Sequence, residues 1–425
     1  MNTSKCAATT DASSVAILPH DNAPVSKLRE WLAILSVSIG AFALVTSEFL
    51  PVGVLNEVAR DLGISIGHAG LMITLPGIVA ALAAPLVTVG IGTLDRRKLL
   101  IFLTLMMVIA NSIVAFADNF TVLLIGRLLL GIGIGGFWAT AIALSARLAP
   151  TGVNVAKSTS IIMAGVTLAT VLGVPLGTWL SNAFGWRTTF AITAALGLVV
   201  VIIQALMLPL LKPVKKITVQ DLPALFLNAK ARIGLFAVLF VVLAHFAAFT
   251  YVAPFFKTVS GFSPALISAL LLLYGATGVI GNLFAGVAAG KNVRYTLLFI
   301  VLLMVIALAL FPLLATSLTG ALVLIGIWGF AFGAFPTCAN IWMFVTAPDA
   351  VEPGMPLFVG LFQVMIATGS FFGGQIVDRL GISSVLWVAT LLCLVGAAIV
   401  LLFGKGIGQS SNSAAKTALP TASAH

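Results

Sequence analysis

The chain has very few charged residues for its length. Charged residues make up 8% of its 425 positions and hydrophobic residues make up 60%, whereas soluble domains carry roughly 25% charged residues. A chain of this composition cannot cover itself with a polar surface. A soluble globular protein is therefore excluded, and lipid is the expected solvent for most of its surface.

Residues that support covalent, metal or nucleotide chemistry are also scarce. The three cysteines, Cys6, Cys338 and Cys393, give no disulfide framework and no metal-ligand spacing. There is no Gly-x-x-x-x-Gly-Lys-Ser/Thr phosphate loop, and the first 30 residues lack the pattern of a signal peptide. We therefore expect no cofactor, no metal and no direct coupling to ATP. A membrane-embedded enzyme is not expected either, because His245 is the only histidine deep in an apolar stretch and no carboxylate lies near it in sequence.

Long apolar stretches occupy most of the chain, and each approaches the ~20 residues that a helix needs to cross a bilayer. They predict twelve transmembrane helices, at residues 31–55, 67–91, 99–117, 121–145, 158–182, 188–210, 233–256, 265–289, 295–315, 321–345, 355–377 and 384–404. The predicted fold class is an all-α membrane protein.

The second six stretches repeat the first six in order. Residues that meet their own type 198 positions later are Gly63, Ser65, Gly131, Gly135, Phe137, Ala149 and Pro150. Residues that do so 196 positions later are Gly173, Gly177 and Gly185. A duplicated six-helix bundle is how a membrane transporter builds a central site between two halves that rock against each other. We therefore predict two pseudo-symmetric six-helix bundles.

Lysine and arginine predict the orientation of these helices. With the N-terminus inside the cell, 17 of the 22 basic residues fall in cytoplasmic segments and Arg127 lies within a span. The outer loops then hold Arg60, Arg187, Lys257 and Arg379. By the positive-inside rule, both termini are cytoplasmic. The net charge of +10 is thus a signal of topology, and its spread over separate loops does not predict nucleic-acid binding.

These features divide the chain into five segments. They are a cytoplasmic N-terminal tail at 1–30, six-helix bundles at 31–210 and 233–404, a cytoplasmic linker at 211–232 and a disordered cytoplasmic tail at 405–425. A short amphipathic helix around Leu222–Leu227 is expected to lie on the membrane surface. The pattern is that of a monomer in the bilayer.

Two oppositely charged residues lie deep within predicted spans. Glu48 lies nine residues before Glu57, and Arg127 lies nine residues after Asp118. At a rise of ~1.5 Å per residue, both lie about 13 Å below the outer boundary. An unpaired charge at this depth costs at least ~2.5–3.5 kcal/mol, so we expect the two to be partners.

Two interpretations of this pair remain open. The first is a structural ion pair that locks two helices together. In the second, Glu48 gains and loses a proton as access alternates, and Arg127 sets its proton affinity. Proton coupling is favoured, because a carboxylate in a transporter core is costly unless its titration is used.

A third ionisable group, His245, lies near the bilayer midplane. A lone histidine among apolar residues is typical of a hydrogen-bonded core residue, and the alternative is a contact with substrate or proton between the halves. Other polar or aromatic candidates for a substrate site are Tyr251, Asn282, Trp328, Asn340, Trp342 and Gln363. Small polar residues also join transmembrane helices to one another, so each candidate has a structural reading as well.

Several motifs resemble the major facilitator superfamily, over about residues 31–404. The segment Gly90–Lys98 is similar to the superfamily's Gly-x-x-x-Asp-Arg-x-Gly-Arg-Arg loop, with a shortened interior, and the resemblance implies a gating role for Asp95, Arg96 and Arg97. Leu123-x-x-x-Arg127-x-x-x-Gly131 is similar to the fourth-helix motif whose arginine is linked to proton transfer.

The fifth span is similar to the antiporter motif of the same superfamily. Its matching residues are Gly165, Gly173, Pro175 and Gly177, with one residue inserted between glycine and proline. The resemblance implies that this stretch keeps the cavity closed to leak.

Two short segments, Glu48–Gly53 and Gly135–Ala139, resemble bacterial efflux pumps for purine ribonucleosides, in the twelve-helix drug:proton antiporter branch. Sugar efflux members share the Glu-Phe-x-Pro segment. The resemblance implies a major facilitator fold and a proton-coupled secondary transporter of the bacterial inner membrane that exports purine ribonucleosides, sugars or drugs. A proton-coupled uptake symporter would share nearly all of these features and is the alternative. A non-transporting sensor is not favoured, because sensors usually add a soluble domain and the segments between the predicted spans are short.

Overall fold

Helices form nearly all of the protein. The computed structural model describes residues 27–90, 94–145, 148, 155–210 and 223–405. Its helices are α1 (Lys27–Asp61), α2 (Ile66–Ala69), α3 (Leu71–Gly90), α4 (Arg96–Ala115), α5 (Phe120–Ser145), α6 (Val155–Phe184), α7 (Trp186–Met207), α8 (Ala224–Leu227), α9 (Ala229–Phe249), α10 (Val252–Thr258), α11 (Pro264–Leu314), α12 (Leu318–Thr346), α13 (Pro348–Leu380) and α14 (Ile382–Phe403). Those described ranges contain no strand, and the all-α prediction is confirmed.

Eleven helical segments among the described residues are long and apolar enough to cross a membrane. One of them, α11, has 51 residues, far more than the ~20 that a single crossing needs. It contains a break at Asn292, whose φ of −156° and ψ of 99° are not helical. Its two parts correspond to the predicted spans 265–289 and 295–315, so the eleven segments supply twelve crossings. The chain is a multi-pass membrane protein.

The turns of the two halves repeat each other. The described glycines with positive φ form two pairs, Gly63 (63°) with Gly261 (68°), and Gly185 (85°) with Gly381 (85°). These pairs have the offsets of 198 and 196 found in the sequence. L-residues with a Cβ avoid this region of φ, so glycine is required where each turn reverses the chain. Two residues after Gly63 and Gly261, a serine caps the next helix in each half.

The packing of helices repeats as well. An added Cβ at Gly131 on α5 would meet the carbonyl oxygen of Pro76 on α3, and one at Gly329 would meet that of Tyr274. Pro76 and Tyr274 are themselves 198 positions apart. The α3–α5 contact of the first half is thus rebuilt as the α11–α12 contact of the second half. The sequence repeat therefore reflects two pseudo-symmetric six-helix bundles.

Each half has a hydrophobic core of its own. In the first half, one cluster packs around Phe137 and a second around Trp186 and Phe190. In the second half, a larger cluster packs around Trp328 and Trp342. Val52, Ile73 and Val174 of the first half extend this cluster across the contact between the halves.

The predicted segment boundaries are described in part. Residues 1–26, 211–222 and 406–425 lie outside the described residues, and with them lies most of the predicted tails and linker. The short helix expected in the linker corresponds to α8. Its Leu225 is fully buried and lies where a Cβ on Gly354 would point, so α8 packs against α13.

Candidate functional site

The two halves meet through polar contacts at one end of the bundle. We call this the loop end, because the α1–α2, α6–α7, α10–α11 and α13–α14 connections lie there. Lys257 Nζ donates to Glu57 Oε1 at 2.9 Å. Asp378 on α13 accepts hydrogen bonds from Ser65 Oγ at 2.6 Å and from the Gly67 backbone N–H at 3.0 Å. Each of these contacts joins a residue of the first half to a residue of the second.

Tyr251 belongs to the same contact region. Its hydroxyl donates to the Ser370 carbonyl at 2.7 Å, and Ser370 Oγ donates to the carbonyl of Gly70 at 3.0 Å. A Cβ on Gly374 would lie 2.6 Å from the tyrosine oxygen and 2.7 Å from the carbonyl oxygen of Gly67. Tyr251 also packs against Leu55 and Ala59 of the first half, so it lies at the contact between the halves, and its predicted contact with a substrate stays a prediction.

Closer to the middle of the membrane, glycines of the second half face carbonyls that prolines of the first half have freed. A proline has no N–H, so the carbonyl four residues before it loses its helical partner. Pro175 frees the Val171 carbonyl in this way, and a Cβ on Gly275 of α11 would lie 2.9 Å from that oxygen. These positions allow a close approach of α6 and α11.

Arg127 on α5 is fully buried and joins three helices of the first half. Its Nε donates to the Met72 carbonyl at 2.7 Å, its Nη1 to the Ser47 carbonyl at 3.0 Å and its Nη2 to the Glu48 carbonyl at 3.1 Å. All three acceptors are backbone oxygens. The side chain therefore ties α5 to α1 and α3.

Prolines explain why these carbonyls are free. Pro51 lies four residues after Ser47 on α1, and Pro76 lies four residues after Met72 on α3. Each proline removes the N–H that would have completed the helical bond, and in lipid no water replaces it. Arg127 supplies both missing donors with one side chain.

Glu48 is also buried, with 5% of its surface exposed. Its Oε1 accepts a hydrogen bond from Gln363 Nε2 at 3.1 Å. Glu48 belongs to α1 in the first half and Gln363 to α13 in the second. The acid therefore lies where the halves meet, and the direct partner of its side chain comes from the opposite half.

This arrangement differs from the predicted ion pair. Glu48 and Arg127 do lie close together, as their matching depths suggested, but no direct ion pair forms between them within the described residues. The guanidinium is directed at two proline-freed carbonyls and at the Glu48 carbonyl, and the carboxylate is directed at Gln363. The sequence predicted the depth of both groups. It did not predict that backbone carbonyls would take the bonds of Arg127 in place of the Glu48 carboxylate.

His245 lies in an aromatic cluster inside the second half. Trp328 Nε1 donates to His245 Nδ1 at 3.1 Å, and the hydroxyl of Tyr274 lies 3.4 Å from Nε2. Because an indole N–H only donates, Nδ1 carries no proton and the ring is the neutral Nε2–H tautomer. The rings of Phe332 and Phe249 stack on it with centroid distances of 3.3 Å and 5.0 Å.

Both nitrogens and both faces of His245 are thus occupied by protein groups. The residue is 1% exposed and Trp328 is 0% exposed. This arrangement corresponds to the hydrogen-bonded core histidine, one of the two interpretations of the sequence. Direct contact of His245 or Trp328 with a substrate stays a prediction.

The remaining substrate candidates lie elsewhere in the second half. Thr337 on α12 donates to Asn282 Oδ1 on α11, and Asn340, one turn further along α12, donates to the Pro336 carbonyl at 2.8 Å. Asn282, Thr337 and Asn340 are all half-buried. Trp342 is buried and donates to the Lys230 carbonyl at 3.1 Å, which is a packing role.

The predicted gating loop caps a helix. Asp95 is the N-cap of α4 and accepts from the Arg97 backbone N–H at 2.8 Å. The guanidinium of Arg97 donates to the Ala205 carbonyl at the end of α7. Arg96 is the first residue of α4. A gating role for these residues stays a prediction.

The glycines of the predicted fifth-helix motif pack α6 against α1. A Cβ on Gly165 would meet Ser38, a Cβ on Gly173 would meet Thr46, and a Cβ on Gly177 would meet Leu50. The contacts follow the same helical spacing on both helices, and Pro175 lies among them. This stretch therefore fixes two helices of one half, and its effect on leak stays a prediction.

A membrane protein of two pseudo-symmetric six-helix halves, with a buried carboxyl between them, has the architecture of a secondary transporter. The chain belongs to the Major Facilitator Superfamily, whose family profile matches residues 37–353. It is a transporter of this superfamily and not an enzyme.

Two curated relatives cover most of this chain. The chain is 36% identical to the "Transcription regulatory protein OpdE" of Pseudomonas aeruginosa over 380 residues, covering 88% of this chain and 93% of that protein. It is 32% identical to the "Purine ribonucleoside efflux pump NepI" of Salmonella enteritidis over 370 residues, covering 87% and 93%.

Two solved transporters share the fold at low sequence identity. A bacterial homologue of the human lysosomal transporter Spinster, in an inward-facing and unoccupied conformation, superposes with a TM-score of 0.71 at 15% identity, covering 89% of this chain and 97% of that one. The nucleoside transporter NupG superposes with a TM-score of 0.71 at 16% identity, covering 88% and 98%.

Proposed function

We propose that this protein is a proton-coupled exporter that moves small organic solutes across the bacterial inner membrane by alternating access. The observation that carries the proposal is the buried Glu48 carboxyl at the contact of the two halves, bonded to Gln363 of the opposite half. A buried carboxyl between moving halves changes its surroundings when access changes, which is the requirement for taking up a proton on one side and releasing it on the other.

Purine ribonucleosides are the first substrate class to test, and sugars and drugs follow. The named activity of the Salmonella relative supports this order. Side-chain amides such as those of Asn282 and Asn340 suit the donor and acceptor edge of a purine base, because an amide offers both groups side by side. We propose these two residues as substrate contacts.

The orientation follows from the distribution of basic residues. The proposal places both termini in the cytoplasm and the loop end at the outer face. The contacts at the loop end then close the outer side, and the conformation is one that opens inward. Proton entry from outside would follow once those contacts open.

The test uses purified protein in liposomes that contain an interior pH dye. A proton gradient is imposed, and inosine, arabinose and a cationic drug are added one at a time. A proton flux opposite to substrate movement that is lost in Glu48→Gln supports the exporter. Asp61→Asn is the matched control, because Asp61 lies on the same helix and bonds to Arg187 and Trp186 of its own half. Glu48→Gln with wild-type exchange would overturn the role of Glu48.

The same experiment addresses direction. Proton and substrate moving together would identify an uptake symporter of the same fold and overturn the export assignment.

A second candidate is a regulatory role in transcription, favoured by the 36% identity to the Pseudomonas protein of that name. A strain that lacks the gene for this protein is complemented with the wild-type protein or with Glu48→Gln. The transcript levels of the two complemented strains are then compared with those of the deletion strain. A regulatory function independent of transport requires that the Glu48→Gln protein restores transcription while flux is absent.

A further inference from the structure

Gln363 is the direct hydrogen-bonding partner of the Glu48 carboxylate. The donor is its side-chain amide, 3.1 Å from Oε1, and 5% of each residue is exposed. A hydrogen bond to an ionised acceptor is stronger than one between neutral groups, and it favours the ionised form of that acceptor. The bond spans the contact between α1 and α13, so it exists only while the two halves are together at this depth.

No other side chain among the described residues takes this role. Arg127 forms no direct ion pair with the Glu48 carboxyl among the described residues. Its three bonded N–H groups are directed at the carbonyls of Ser47, Glu48 and Met72, and it moves with the same half as the acid. Its effect on the carboxyl therefore stays much the same as the halves rock. The effect of Gln363 changes, because α13 belongs to the other half.

The amide oxygen of Gln363, Oε1, is buried and has no hydrogen-bond partner among the described residues. The hydrogen bond that orients the amide is therefore the one to Glu48. An ionised carboxylate accepts from the NH2 group, whereas a protonated carboxyl donates its hydrogen to Oε1 after a half-turn of the amide. The same residue can bind either form and prefers the ionised one.

We propose that Gln363 is a positioning residue that makes the proton affinity of Glu48 depend on the access state. With the halves closed at the loop end, the amide stabilises the carboxylate, and the proton passes from the Glu48 oxygen to water on the open side. When the halves separate there, the amide leaves with α13. The carboxyl then loses its donor and takes up a proton from the other side. This inference rests on the proposed proton coupling and replaces the predicted substrate contact of Gln363.

A second bond on the same helix provides the control. Ser370 lies seven residues after Gln363 on α13, and its Oγ donates to the Gly70 carbonyl across the same contact. Ser370→Ala removes a bond between the halves without touching Glu48. A merely structural role for Gln363 predicts that the two substitutions act alike.

The test is an infrared titration of the purified full-length protein, which needs no substrate. The C=O band of protonated Glu48 is identified by its loss in Glu48→Gln and followed as pH is changed. In Gln363→Met, which keeps the length of the side chain and removes the donor, we expect the midpoint of the band to move up by about one pH unit, as for the loss of about 1.4 kcal/mol. Gln363→Asn, whose amide is withdrawn by one methylene, is the second variant if Gln363→Met does not fold. Ser370→Ala should leave the midpoint in place.

An unchanged midpoint in the Gln363 variant, or an equal shift in Ser370→Ala, would overturn the proposal. Failure of the exporter is distinguishable from failure of this inference. A shifted band together with no proton flux from inosine, arabinose or the drug rejects the exporter and retains the link between Gln363 and Glu48. Proton-coupled flux with an unshifted band retains the exporter and rejects the link between Gln363 and Glu48.

Discussion

The carbonyl oxygen of Ser47 accepts a hydrogen bond from Arg127 at 3.0 Å because Pro51, one turn further along α1, has no N–H to give it. Met72 stands in the same relation to Pro76 on α3, and the same guanidinium serves both carbonyls. The arginine of the fourth crossing is therefore a structural donor to two proline-containing helices, in addition to any effect of its charge on Glu48.

This relation predicts a double-mutant result. Arg127→Met leaves buried carbonyls without donors, and each unsatisfied group costs ~1–3 kcal/mol. Pro51→Ala restores the helical donor to Ser47. We therefore expect Arg127→Met to destabilise the protein less in the Pro51→Ala background, by about 1 kcal/mol. Thermal unfolding in detergent measures this coupling, and additive effects would show that the proline and the arginine are unrelated.

The contact between α6 and α11 predicts a shift in conformation. Gly275→Ala places a methyl group 2.5 Å from Val171 Cα and 2.9 Å from the Val171 carbonyl oxygen, so the halves cannot approach as closely. We expect the ratio of this conformation to the separated one to fall by about fivefold or more, as for a strain of ~1–3 kcal/mol from overpacking. Distances between spin labels on the two halves at the loop end report the change. Gly286→Ala on the same helix meets nothing within 4 Å and should have no effect.

The contacts of Asp378 predict how access to the loop end is controlled. Asp378→Ala removes the acceptor for Ser65 and for the Gly67 N–H, and we expect the halves to separate there more often. A cysteine placed at Thr178, which borders the small pocket between the halves, should then react with a water-soluble thiol reagent severalfold faster.

Asp61→Ala is the matched control for this experiment. Asp61 accepts from Arg187 and Trp186, both in its own half, so its loss removes an acidic residue at the same end without breaking a contact between the halves. Equal acceleration in both variants would argue against a specific role for Asp378.

The tautomer of His245 gives a further prediction. Trp328→Phe removes the donor to Nδ1 and leaves a buried acceptor, which we expect to lower stability by ~1–3 kcal/mol. Nitrogen NMR of labelled histidine should show the Nε2–H tautomer in the wild type and a loss of that selection in the variant. Trp387→Phe, at a position 43% exposed, is the control and should be close to neutral. A wild-type ring protonated on Nδ1 would contradict the assigned network.

The sequence was sufficient for the fold because the relevant signals are local. Apolar length predicts each crossing, and the glycine pairs at 63 with 261 and at 185 with 381 predict the repeat, since both members need the same unusual backbone angle. The break at Asn292 also fell between two predicted crossings. One non-helical residue is enough to separate two crossings, so the parts of α11 before and after Asn292 are both regular helices.

The site was less predictable because its partners come from other helices. Depth along a helix placed Glu48 and Arg127 near each other, but depth carries no information about which face each side chain takes. The signal for Arg127 was present in Pro51 and Pro76, since each freed carbonyl lies four residues earlier. The pairing of Glu48 with Gln363 had no such signal, because it depends on how the two halves dock.

The hairpins at the loop end have a mechanical consequence. Helices α6 and α7 are joined through Gly185 alone, and α13 and α14 through Gly381 alone, so these connections leave almost no slack. In each half, two neighbouring helices are therefore held close together at this end. We expect a tilt of one half to move its connected helices together, so that the bonds of Asp378 and Lys257 between the halves open together.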